Sequence, residues 1–108
     1  MTNKSQMLKG ILEGCVLKIL NDEPCYSGEL VIKLKEKGFD TVSEGTLFPM
    51  LLRLENKGLF DVERVSNPLG PSRKYYRLND TGKAELTKFI KEWEEFRSLI
   101  DSVLEGNQ

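Results

Sequence analysis

A Ser-capped amphipathic helix over 43–58, an adjoining strand over 59–65 and a basic strand over 73–78, reached through a Gly/Pro/Asn-rich turn, predict a mainly α, α+β fold: a winged helix-turn-helix with a two-stranded wing. A long apolar stripe that follows the wing, over 79–104, adds a C-terminal helix to that fold. The predicted organisation is a DNA-binding unit over 1–78 and a C-terminal dimerisation helix over 79–108, the latter forming one compact unit with the first helix.

The elements follow in order. From Ser5 to Asn21 the apolar residues Met7, Leu8, Ile11, Leu12, Cys15, Val16, Ile19 and Leu20 recur at steps of three and four, which predicts a first helix. Asp22-Glu23-Pro24 ends it, because proline cannot continue the hydrogen-bond ladder. A second helix is expected from Ser27, whose hydroxyl is a suitable cap, to a glycine stop at Gly38, with Leu30, Val31 and Leu34 inward. The third helix is capped by Ser43 and faces inward with Leu47, Met50, Leu51 and Leu54. Pro49 within it removes one backbone donor and is expected to bend or loosen the first turn. Gly58 supplies the left-handed stop. Phe60 to Val65 alternates as a half-exposed strand should, with Phe60, Val62 and Arg64 on one face, and Tyr75, Tyr76 and Leu78 pack its partner. The seven residues from Ser66 to Ser72 form a tip longer than a tight hairpin turn. Asn79 caps the last helix, whose stripe runs Leu86, Phe89, Ile90, Trp93, Phe96, Leu99, Ile100, Val103, Leu104.

A chain of 108 residues makes one domain and buries only roughly two-thirds of its unfolded surface. Such a core has no room to cover the C-terminal stripe, whose large side chains would each contribute about 1.5–3 kcal/mol on burial. A homodimer through this helix and the first is therefore expected. With 31% charged and 39% hydrophobic residues the composition is that of an ordinary soluble protein. No apolar run is long enough to span a membrane and the first residues carry no apolar signal stretch, so a cytoplasmic location is expected, with no membrane partner.

Histidine is absent, which removes the commonest general base and the commonest transition-metal ligand. There is no nucleophile motif and no phosphate loop. No enzyme activity, cofactor or metal is expected. Cys15 and Cys25 lie in apolar or turn context without a pairing motif and read as structural or incidental, with redox sensing as the other reading.

The net charge of −1 would argue against a polyanionic partner, but it is unevenly distributed. From Arg53 to Arg77 there are six basic and three acidic residues, a local +3; from Asp80 to the end there are four basic and seven acidic, a local −3. That asymmetry is the electrostatic footprint of a nucleic-acid face on the wing.

Several residues are candidates to contact double-stranded DNA. Ser43 and Thr46 stand in the first turn of the third helix, where recognition helices meet base edges; for Ser43, capping alone is an equal reading. Glu44 either accepts from cytosine N4 or serves the helix dipole. Phe48 either touches a thymine methyl or the sugar backbone, or belongs to the core. Arg53 reads as a surface or phosphate-facing residue. Arg73 and Lys74 are the expected phosphate contacts of the wing, a solvated strand end being the other reading, with neutral hydrogen bonds from Asn67 and Ser72 at its tip. Tyr26 and Ser27 bring the second helix's N-terminal N–H groups to a phosphate.

Gly45-Thr46-Leu47-Phe48-Pro49, with Arg53-Leu54-Glu55-Asn56-Lys57-Gly58-Leu59, resembles the recognition helix of PadR-type transcriptional regulators. Gly70-Pro71-Ser72-Arg73-Lys74-Tyr75-Tyr76-Arg77-Leu78-Asn79-Asp80-Thr81-Gly82 resembles their wing and the start of their last helix. The pattern covers nearly the whole chain. A single C-terminal helix is similar to the family's short branch, which includes a multidrug-sensing repressor. Phe48 stands where the family often has Tyr, Ser27-Gly28 where a Gly-aromatic pair is common, and Asn79 where Thr is the usual cap. The resemblance implies a homodimeric repressor on a roughly palindromic operator. It also implies an effector site for a small planar hydrophobic ligand around Trp93, with Phe89, Phe96 and Ile100 and, from the first helix, Leu8, Ile11 and Cys15; ordinary interface packing is the other reading of these residues. The alternative function is a protein-interaction module that uses the winged helix without binding DNA.

Overall fold

The computed structural model describes residues 4–106, with side chains described from residue 11 onward. Four helices and one hairpin follow each other in the order α1 (Lys4–Asp22), α2 (Ser27–Glu36), α3 (Glu44–Asn56), β1 (Phe60–Val65), β2 (Arg73–Leu78) and α4 (Asp80–Leu104). This is the winged helix-turn-helix, mainly α, with a long terminal helix.

The core is a single apolar cluster. Leu12, Val16, Leu17 and Leu20 of α1, Leu30 and Leu34 of α2, and Leu47, Met50, Leu51 and Leu54 of α3 bury their side chains in it. Val31 packs at its margin. The spacing of three and four within each set is what puts them on one face. Gly38 and Gly58 end α2 and α3 at positive φ, 108° and 78°, a backbone conformation that residues with a side chain rarely adopt. The Ser43 hydroxyl accepts from the Thr46 N–H at 3.2 Å, and the Asn79 side chain accepts from the Gly82 N–H at 2.9 Å, so both expected caps are made.

Two local expectations are corrected. Ser27 does not cap α2; it is the first helical residue, and Tyr26 holds the capping position in extended backbone (φ −93°, ψ 170°). The Tyr26 N–H instead donates to the Glu29 carboxylate at 3.3 Å, leaving the Ser27 hydroxyl to donate across to Glu44. Pro49 lies inside α3, which is helical on both sides of it. The alternation read in β1 is not a burial pattern, because only Phe60 is buried. The hairpin meets the core at its base alone, where Phe60 lies edge-on to Tyr76 at 5.4 Å, and the strands then run out into solvent.

The antiparallel register sets Phe60 opposite Leu78, Arg64 opposite Lys74 and Val65 opposite Arg73. A third backbone segment joins the wing: Cys25 and Tyr76 exchange hydrogen bonds of 3.1 and 2.9 Å as an antiparallel bridge. Buried Cys25 thereby fixes the start of α2 against β2. At the far side of the wing, the Asn79 side chain donates to the Gly58 carbonyl at 2.9 Å and its N–H donates to the Leu59 carbonyl at 3.1 Å. A Cβ at Gly82 would lie 2.3 Å from that same Leu59 oxygen, so only glycine lets α4 start this close to the α3–β1 turn.

From there α4 packs on α1, with the Phe89 ring lying against Gly14; a Cβ at Gly14 would meet it at 2.1 Å. Of its 25 residues only Gly82 and Leu86 are buried. Ile90, Phe96, Leu99 and Ile100 are exposed, as are Val103 and Leu104, each at 76%. The molecule is elongated, 60 × 33 × 21 Å.

Candidate nucleic-acid interface

An open groove lies between the α2 N-terminus, the outer face of α3 and the wing. Tyr26 lines it from just before α2, Ser27, Gly28, Val31 and Ile32 from α2, Glu44 and Phe48 from α3, and Arg64, Asn67, Ser72, Arg73 and Lys74 from the wing. Eight of the residues read from the sequence as DNA contacts therefore share one concave surface: Tyr26, Ser27, Glu44, Phe48, Asn67, Ser72, Arg73 and Lys74. Ser43 and Thr46 are exposed in the adjoining first turn of α3, their hydroxyls 3.0 Å apart.

Each side chain is held differently. The Glu44 carboxylate accepts from the Ser27 hydroxyl at 2.8 Å, a bond that ties the first turns of α2 and α3 together. Phe48 is 55% exposed and Ile32 56%, so Phe48 is not a core residue; with Ile32 it forms an apolar patch beside the groove's polar groups. Its exposure follows from the helix period, since Leu47 and Leu51 take the inward direction and Phe48 lies one residue around. At the tip, Asn67 accepts from the Leu69 N–H through its side chain and from the Gly70 N–H through its carbonyl, both at 3.1 Å. It therefore shapes the turn, and it presents Leu69, 95% exposed, at the extremity of the wing.

The basic residues divide. Arg73 stacks on the Tyr26 ring, its guanidinium carbon 4.4 Å from the ring centroid. Lys74 is committed elsewhere: it pairs with Glu55 of α3 at 2.9 Å and lies 5.4 Å from the Tyr76 ring centre. The Glu55 hydrogen bond raises its pKa above the usual lysine value. Arg53 lies outside the groove and pairs with Glu13, joining α3 to α1. Arg64, opposite Lys74 in the ladder, is a groove cation the sequence reading did not single out. Its strand position alone could not tell it from a solvated residue.

The second set of candidates does not share this surface. Ile11 and Cys15 are half-buried on α1; Phe89 and Trp93 are half-buried on α4; Phe96 and Ile100 are exposed. The side chain of Leu8 lies outside the described residues. Burial raises the Cys15 and Cys25 thiol pKa values above the usual thiol value. Among the described residues no cluster of metal-binding side chains occurs. No described helix is long and apolar enough to cross a membrane.

A helix-turn-helix with a basic wing beside its third helix is the architecture of a DNA-binding transcriptional regulator. Residues 16–88 match the Transcriptional regulator PadR-like family, and the chain belongs to that family, whose members are non-enzymatic DNA-binding regulators. The chain is similar to the crystal structure of a PadR-like transcriptional regulator from Bacillus cereus, with 41% identity, a TM-score of 0.84, and coverage of 94% of this chain and 99% of that one. A PadR family transcriptional regulator from Eggerthella lenta is similar at 32% identity and TM-score 0.85, over 94% of this chain and 88% of that one. An uncharacterized protein of Lysinibacillus sphaericus is 30% identical over 105 residues, 95% of this chain and 96% of its own.

Proposed function

We propose that this protein is a homodimeric, sequence-specific repressor that sets one α3 helix into each of two successive major grooves. The observation that carries this reading is the groove itself, which collects Ser27, Phe48, Asn67, Ser72 and Arg73 beside the exposed first turn of α3. The α3 N-terminus supplies Thr46 and Ser43 to base edges, and the Phe48–Ile32 patch suits a thymine methyl. Arg73 meets the phosphates, with Arg64 beside it, while Lys74 contributes through its hold on Glu55. Arg53, paired with Glu13, is assigned to the α1–α3 joint rather than to DNA.

Dimerisation has its own support in the exposed apolar stripe of α4, which no other part of the described chain covers. Two-fold symmetry would then require a roughly palindromic operator with half-sites ~34–36 Å apart or a multiple of that distance. Bound there, the dimer blocks polymerase. A planar hydrophobic effector is assigned to the interface around Trp93, Phe89 and Phe96. It would act by changing the separation of the two wings, a coupling between two sites through one shared helix.

The test is fluorescence anisotropy against labelled DNA from upstream of the protein's own gene, with a scrambled duplex alongside, over a salt series. Nanomolar binding to the upstream duplex alone is expected, with log affinity falling against log salt at a slope of roughly −5 to −9 for about six to ten phosphate contacts. Absence of binding to either duplex at low salt would sink this reading in favour of a protein-interaction module. Quenching of Trp93 by planar aromatic compounds tests the effector assignment separately.

A further inference from the structure

Tyr26 joins the α2 side of the groove to the wing, although it stands in a connecting segment. The Cys25–Tyr76 bridge lays this segment along β2 as a short third strand. That bridge brings Tyr26 beside Tyr75, and the two rings meet edge to face at 5.3 Å with an interplanar angle of 66°. Arg73, two residues from Tyr75 and so on the same face of β2, lies over the Tyr26 ring at 4.4 Å. From beneath, the ring rests on Gly28: a Cβ there would lie 2.8 Å from its Cε2 atom. Tyr26 therefore sits in a slot made by the missing side chain of α2 on one side and by the wing on the other.

A guanidinium stacked on an aromatic ring uses its face and keeps its in-plane N–H donors available to a phosphate. Stacking also removes rotamer freedom before DNA arrives, so less is lost on binding. We propose that Tyr26, seated on Gly28, is a positioning residue that presents Arg73 to the DNA backbone and fixes the spacing between the wing and α3. It acts through Arg73 and needs no DNA contact of its own. The proposal rests on the DNA-binding reading above.

The experiment is a set of operator-binding titrations over a salt series on the full-length protein and its Y26A, Y26F, G28A, R73A and Y26A/R73A variants, with thermal unfolding of each. Y26A is expected to weaken binding to operator and scrambled DNA alike by about 5- to 30-fold, the effect of losing one exposed cation–π contact in each subunit. R73A should make the salt slope shallower by roughly 2 per dimer, about 0.9 for each phosphate contact. Y26A should add nothing in the R73A background, and Y26F should stay within about twofold of wild type. Gly28→Ala is the variant that separates positioning from folding. It raises helix propensity, so unfolding should not occur earlier, yet its Cβ displaces the ring and should reproduce the Y26A loss.

Unchanged binding in Y26A and G28A, with wild type binding normally, would overturn the proposal and leave the DNA reading intact. Additive losses in Y26A/R73A, or an equal loss in Y26F, would overturn it by assigning Tyr26 a contact of its own. Wild type that binds no duplex at low salt would remove both.

Discussion

α3 and α4 carry the same kind of apolar pattern and meet opposite fates. In α3 the inward set, Leu47, Met50, Leu51 and Leu54, is buried, although the helix has 13 residues. In α4 a longer stripe on 25 residues leaves Ile90, Phe96, Leu99, Ile100, Val103 and Leu104 in solvent. Amphipathic periodicity reports that a helix has an apolar face; it does not report whether the same chain supplies the cover. α3 is enclosed by α1 and α2 and held by the Glu55–Lys74 and Arg53–Glu13 pairs. α4 leaves the core after Phe89 and projects from it.

The contrast can be broken most strongly in α3. Leu51→Ala removes a side chain with no exposure from the middle of the core and should cost about 2–5 kcal/mol, read as a large drop in the denaturation midpoint. The matching change in α4 should barely touch the fold. Leu99→Asp with Val103→Asp is expected to leave circular dichroism and melting of the head nearly unchanged while shifting the species in analytical ultracentrifugation from dimer to monomer. Loss of head stability there, with the dimer intact, would show that the stripe is covered within its own chain.

The joint between the two regions is Gly14 against Phe89. Gly14→Ala must displace the ring, because the added Cβ would be 2.1 Å from it, and should destabilise by about 1–3 kcal/mol in a thermal melt. It should also alter the angle of α4 to the head, so half-site spacing preference is a second readout. The smallest effect is expected at the caps. Ser43→Ala and Asn79→Ala each lose one side-chain bond to a helix N-terminus, typically ~1 kcal/mol. Ser43→Ala should in addition loosen Thr46, whose hydroxyl lies 3.0 Å from that of Ser43. A weaker operator preference with unchanged salt slope is therefore expected for it.

The candidate interface was legible in outline because recognition-helix residues declare themselves by position. Ser43, Thr46 and Phe48 follow a cap, and Arg73 and Lys74 follow a turn rich in glycine and proline. What each of these does was not legible. Lys74 and Arg73 are neighbours in sequence and both line the groove, but they take different partners, one Glu55 and the other Tyr26. Arg53 carries a charge suited to phosphate, yet α1 brings Glu13 to it.

The sequence by itself determined the number, type and limits of the elements, because caps, glycine stops and apolar periods act within a few residues along the chain. It also determined the family, through a run of motifs that spans the recognition helix and the wing. Only the tertiary structure decided that Cys25 bridges to Tyr76, that Tyr26 occupies the space above Gly28, and that Ser27 donates to Glu44 instead of capping its own helix. The Ser27–Glu44 and Cys25–Tyr76 contacts join residues 17 and 51 positions apart, and no local periodicity encodes which distant partner a packed core will bring within reach.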